Sequence, residues 1–156
     1  MKRRVSGFTL MEILFVTLAI AILASIGAFE YVNSYRQSLM KNTTNDLVAL
    51  LHVAQQKAVA QEGGNAWGVY FDNTNSTNVF ADLYAGNAYA TSSVSQVYQI
   101  PYQLSLTSPA AGQVLDMNFQ KFSGIPSATG TIILQLNAST QTRTITVTSQ
   151  GGISSN

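Results

Sequence analysis

At 156 residues, with eight Lys and Arg against seven Asp and Glu, the chain has room for one compact unit and one long helix. A formal charge of +1 excludes a strongly basic protein held on a phosphate track by counterion release. Cysteine is absent, which excludes a disulfide framework, a thiolate metal site and cysteine nucleophile chemistry.

In chain order, Lys2, Arg3 and Arg4 come first, followed by Gly7-Phe8-Thr9-Leu10-Met11-Glu12. From Phe8 to Phe29 the only charge is Glu12, and a helix of that length spans a bilayer. The basic cluster leaves the N-terminus cytoplasmic and everything after Glu30 outside. A lone carboxylate in such a helix costs roughly 2.5–3.5 kcal/mol at the bilayer centre, because hydrocarbon solvates charge badly, so it calls for a partner. A secretory signal peptide has a shorter apolar run, about 7–15 residues, and then a small-residue cleavage site. Ala24-Ser25-Ile26 and Gly27-Ala28 imitate such a site. Neither that reading nor a plain signal anchor accounts for a glutamate five residues past Gly7.

The stretch Gly7-Phe8-Thr9-Leu10-Met11-Glu12-Ile13-Leu14 resembles the G-F-T-L-x-E-x-L processing signature of type IV pilins and type II secretion pseudopilins. The resemblance implies that residues 1–7 are a leader ending in Gly7, that Phe8 becomes the N-methylated mature terminus, and that Glu12 neutralises the amine of Phe8 on an adjacent subunit. It also implies the partners: other pilin or pseudopilin subunits, a prepilin peptidase/N-methyltransferase and the bacterial inner membrane. Loss of the three leader cations takes the net charge from +1 to −2. Many pilins carry helix-weakening glycine and proline where this chain has Ala21 and Phe29, which favour a continuous helix and leave Gly27 as the weak position.

Past Glu30, the residues Leu39, Thr43, Leu47, Leu50, Leu51, Ala54 and Ala58 recur at three- and four-residue steps, one face of an amphipathic helix. Gly63-Gly64 supplies the positive-φ positions at which helices stop, so the spacing predicts one helix over 8–62, its part 8–29 in the membrane or filament core and its part 30–62 amphipathic. Residues 63–156 are then an exported β-sheet domain rich in Ser, Thr, Asn and Gly. Predicted strands are Trp67–Asp72, Asn78–Tyr84, Gln96–Ile100, Val114–Phe119, Thr131–Leu136 and Thr142–Thr148, the last two forming a hairpin. The hydroxyl-rich stretch from Ala88 to Gln96 reads as a mobile loop.

The layout from Leu47-Val48-Ala49-Leu50-Leu51 through Trp67-Gly68-Val69-Tyr70-Phe71, Met117-Asn118-Phe119, Gly124 and Gly130-Thr131-Ile132-Ile133-Leu134 to Arg143-Thr144-Ile145-Thr146-Val147 and Gly151 is similar to FimT-like minor pilins and H-type pseudopilins. That resemblance implies an α+β, pilin-like fold, a long N-terminal helix packed on an antiparallel sheet domain. It implies a structural subunit of a pilus or secretion pseudopilus, without enzymatic activity or cofactor.

The alternative is a FimT-like DNA-uptake pilin, a binding module. Residues 65–156 hold Lys121 and Arg143 against Asp72, Asp82 and Asp116, so nucleic acid is an unlikely partner. His52, the only histidine, reads as a helix-surface residue beside the apolar stripe, because a lone imidazole lacks co-ligands or a nucleophile to serve. Asp72, Asp82 and Asp116 suggest calcium only weakly; the segment after Asp72 reads better as an Asx turn. Aromatics from Trp67 to Tyr102 read as core and cross-strand pairs rather than a ligand platform.

Overall fold

The computed structural model describes residues 8–75, 77–137 and 139–156, with the backbone alone at 26–29. The expected leader 1–7, with Gly7, lies outside the described residues. The chain divides into a unit ending at Gln37 and a unit Ser38–Asn156.

Helix α1, Leu10–Val59, runs through both without a break, including Ala21 and Phe29. It begins two residues after Phe8 because Thr9 caps it: the Glu12 amide donates to the Thr9 hydroxyl at 3.2 Å, satisfying one of the orphan N–H groups of the first turn. Within the first unit, Thr17 and Ser25 turn their hydroxyls back onto the carbonyls of Leu14 and Ile22, which hides two polar groups against the helix's own backbone.

In the second unit the predicted stripe faces the core from Thr43 onward, while Leu39, its expected first member, is only half-buried. Leu47, Leu51, Ala54 and Ala58 are fully buried, and Met40, Thr43, Thr44 and Leu50 join them. Thr44 stays satisfied by donating to the Met40 carbonyl at 2.8 Å. The helix ends at Val59, short of the expected Glu62, because Gln61 itself takes the left-handed conformation, with φ 53°. Gly63 and Gly64, at φ 65° and 73°, belong to a separate short 3-10 turn, Glu62–Gly64, instead of forming the helix end.

Among the described residues the domain holds eight strands, not six, in two antiparallel sheets of four. They are β1 Trp67–Asp72, β2 Phe80–Ala85, β3 Val94–Gln99, β4 Leu104–Ser108, β5 Val114–Phe119, β6 Gly130–Leu136, β7 Thr142–Val147 and β8 Ile153–Ser155. The first sheet is ordered β3-β2-β1-β5 and the second β4-β6-β7-β8. The expected hairpin is β6–β7, with Ile132 opposite Ile145. β4 escaped the sequence pattern because it is serine-rich and flanked by Pro101 and Pro109, yet Leu104 and Leu106 alternate inward. β8 has one apolar residue, Ile153, and exists by backbone pairing with Ile145–Val147. The stretch read as a loop from Ala88 is partly ordered structure: a 3-10 turn at Thr91–Ser93 leads directly into β3, which starts at Val94.

The inward faces of both sheets and the stripe of α1 share one core, with Val69, Phe71, Leu83, Met117 and Phe119 from the first sheet and Ile132, Leu134, Ile145 and Val147 from the second. Gln55 ties the helix to two loops, its amide donating to the carbonyls of Gly124 at 3.1 Å and Gly151 at 2.8 Å. Both positions require glycine. Each has a positive φ, 64° and 83°, and a Cβ at Gly124 would stand 2.8 Å from Val59 while one at Gly151 would stand 2.7 Å from Gln55.

Candidate functional site

Of the sequence-predicted site residues, Phe8 and Glu12 are described and fall on the first unit. Phe8 precedes the helix and is 77% exposed. Glu12 lies in the first turn, where the positive end of the helix dipole favours a carboxylate. Thr9 and Glu12 also have the S/T-x-x-E spacing of a capping box, a start signal legible in the sequence that the processing signature overshadowed. Around Glu12, Leu10, Met11, Ile13, Leu14, Phe15, Val16, Leu18, Ile20, Ile22 and Leu23 are each half exposed or more. Four of these, Ile13 to Val16, are consecutive and so circle a whole turn. A helix apolar all round has no face that prefers water, and α1 is long and apolar enough over this part to cross a membrane. Such a surface accepts lipid or the like surfaces of other helices, with Glu12 as its one charged group among the described residues 8–29.

The second unit carries a polar array that sequence reasoning treated as scattered residues. On the outward face of the first sheet, Asp82 and Asp116 flank Tyr70 across β2-β1-β5, and Asp72 lies two residues further along β1. Tyr84 swings over Gly68, where a Cβ would meet its ring at 2.7 Å, and donates to Asp116 at 2.6 Å. Asn118 donates both to Tyr84, at 3.0 Å, and to the Gly86 carbonyl, at 2.7 Å. Tyr89, from the supposed loop, stacks on Tyr70 with ring centroids 3.8 Å apart and donates to Asp82 at 2.8 Å.

Burial first, and then the bond to Asp82, push the Tyr89 phenol up to about 12. Burial and the bond to Asp116 likewise push the Tyr84 phenol up. The Asp82 carboxyl is raised from the usual value by burial, with Asp72 adding to the rise and the Tyr89 bond opposing it. The signal that could have found this array is period-2 spacing: Tyr70 and Asp72 on one strand, and Phe80, Asp82 and Tyr84 on the next, share one face.

Other candidates resolve individually. His52 is exposed on α1. One oxygen of Asp72 accepts from both the amide and the hydroxyl of Thr74, an Asx turn. Among the described residues, no group of three or more His, Asp and Glu is placed to hold a metal ion. Of the two cations of the β domain, Lys121 bonds the Gly64 carbonyl, and Arg143 lies on β7 opposite Leu134 in the other sheet.

Trp67 and Phe71 are core residues, as expected of strand aromatics, whereas Tyr70 and Tyr89 pair on the outer face.

A family model described as Type II transport protein GspH matches residues 43–151. No curated protein and no solved structure matches. The matched region begins inside α1 and ends at Gly151, so it excludes the Gly7 to Glu12 signature and stands as separate evidence from it.

Proposed function

Given that this chain belongs to the family of Type II transport protein GspH, we propose that it is a pseudopilin, a structural subunit made as a prepilin, cut after Gly7, N-methylated at Phe8 and assembled into a type II secretion pseudopilus. It has no enzymatic role in this reading. The inner membrane holds the unassembled subunit by residues 8–29, with the N-terminus cytoplasmic and the β domain outside. The carrying observation is the all-round exposed apolar surface from Leu10 to Leu23 with Glu12 as its lone charge. A lipid-facing helix tolerates a carboxylate poorly, and the α-amino group created by cleavage at Phe8 is the cation that offsets it when subunits pack. The other partners are then the peptidase/N-methyltransferase and neighbouring pseudopilins. The cations of the β domain, Lys121 and Arg143, offer no track for nucleic acid, so no observation favours the DNA-uptake alternative.

Intact-mass measurement of membrane-extracted protein tests the processing step. The expected species begins at Phe8 with one added methyl, and Gly7→Glu abolishes it. A mature species still beginning at Met1, or cut after Ala28, rules the reading out. Glu12→Ala tests assembly: membrane insertion is retained while incorporation beside wild-type subunits, read by cross-linking, falls by about tenfold or more. Equal incorporation of the alanine variant removes the role given to Glu12.

A further inference from the structure

Beside Asp82 the outward face of the first sheet opens into a cleft of about 390 Å³, lined by Asn78, Phe80, Asp82, Tyr89, Val97 and Gln99 among others. Asp82 is 4% exposed. Its Oδ2 accepts from the Tyr89 hydroxyl, while its Oδ1 has no hydrogen-bond partner among the described residues. A buried carboxylate oxygen left without a donor costs stability, and native proteins leave few such groups unexplained. Asp116 and Asp72, on the same sheet face, add negative potential, and among the described residues no Lys or Arg lines the cleft.

We propose that this cleft takes the ammonium group of a lysine side chain, carried on an extended segment of a partner protein, with Asp82 as its counter-charge. Three features select that chemistry. Asp82 has one oxygen already engaged and shielded from water on the other, so it suits a compact point charge better than the two-pronged fork of a guanidinium. The Phe80 and Tyr89 rings and Val97 give the walls apolar surface for an alkyl stem, and an aromatic face attracts a cation.

The third feature is the sheet edge. β3 is the outermost strand of its sheet, and Val97, directly opposite Asp82, is 61% exposed. A strand added to that edge places the residue opposite Val97 two strand spacings from Asp82, about 10 Å, a gap that lysine and aspartate side chains together span. On docking, the ammonium donates to the unpartnered Oδ1, adding a charged hydrogen bond while Tyr89 keeps its bond to Oδ2.

The proposal concerns the β domain and does not depend on filament assembly. The test titrates the full chain in detergent with Nα-acetyl-lysine N-methylamide, following backbone amide shifts by NMR. Saturable shifts centred on Thr91, Val97 and Gln99 are expected, with the norleucine analogue, which has a similar stem without charge, binding about tenfold more weakly or worse. Asp82→Asn is expected to weaken the lysine probe by about tenfold or more, and Tyr89→Phe, which keeps the ring and leaves the ammonium as the carboxylate's one donor among the described residues, to tighten it by about threefold. Equal binding of lysine and norleucine probes reduces the cleft to an apolar groove and overturns the proposal. An arginine analogue that binds as tightly as lysine overturns the choice of ammonium. Absence of any saturable shift up to about 100 mM probe, or an Asp82→Asn variant that binds as the parent does, overturns the site itself and leaves the pseudopilin reading standing.

Discussion

The two halves of α1 share one backbone and opposite surfaces. From Leu10 to Leu23 apolar side chains cover every side and stay exposed, whereas from Met40 to Ala58 the apolar residues are confined to one stripe that is buried under the sheets. Helix propensity does not distinguish them, since both halves are rich in Leu and Ala. The difference lies in what each half leaves for another molecule. The second half is completed within its own chain, and the first half has its apolar surface still to cover, which the proposed packing against other subunits would do.

Paired truncations break or sharpen that contrast most strongly. Leu51→Ala opens a cavity in a fully buried site and is expected to cost about 3 kcal/mol, within the range of about 2–5 kcal/mol for such changes. Leu18→Ala, at an exposed position of the same helix, is expected to shift thermal unfolding of the β domain in detergent by less than about 0.5 kcal/mol. Comparable losses from the two variants would mean that the exposed half also supports the domain.

Gly151→Val is next in size. It places a side chain at φ 83°, 2.7 Å from Gln55 and 2.9 Å from the Gly124 carbonyl, and displaces the amide that holds both loops. A loss of about 2 kcal/mol is expected in denaturant unfolding, and no change in the midpoint would show that the loops do not depend on Gln55.

Asp82→Asn acts in the other direction. The folded carboxyl is held above its usual value of 3.8, chiefly by burial, so the folded state binds this proton more tightly than the unfolded state does. Its favourable contribution is therefore complete below the usual value and is lost as pH rises through the folded one. The asparagine variant should melt above the parent at about pH 7, and the gap should close below about pH 3.8. A gap that stays constant with pH would detach the effect from ionisation of Asp82.

The smallest effect concerns the helix end. Gln61→Gly removes the cost of a left-handed non-glycine residue, on the order of 1 kcal/mol, and the gain should appear as a slightly raised denaturation midpoint. A loss of stability there would mean that the Gln61 side chain contributes more than its backbone geometry costs.

Much of this architecture was legible because it is periodic. The stripe Leu47, Leu51, Ala54, Ala58 repeats at helical spacing, and β1 and β5 were bounded correctly because their apolar runs end at polar turns. β4 and β8 were not legible, since a strand held by backbone pairing at a sheet border needs little from its side chains. The Asp82 array was half legible. Its residues alternate on β1 and β2, but the partner that completes it, Tyr89, comes from a hydroxyl-rich stretch with no pattern of its own.

By itself, then, the sequence determined whatever depends on neighbours along the chain: the membrane-length apolar run with Glu12, the amphipathic stripe, the main strands and the charge balance that disfavours a phosphate partner. Only the tertiary structure decided that the strands part into two sheets, that Gln55 needs Gly124 and Gly151 beneath it, and that Asp82 is buried with one oxygen unmatched among the described residues. Those facts follow from the packing of segments tens of residues apart, and strand register and close approach are set by space filled in three dimensions, which local periodicity does not encode.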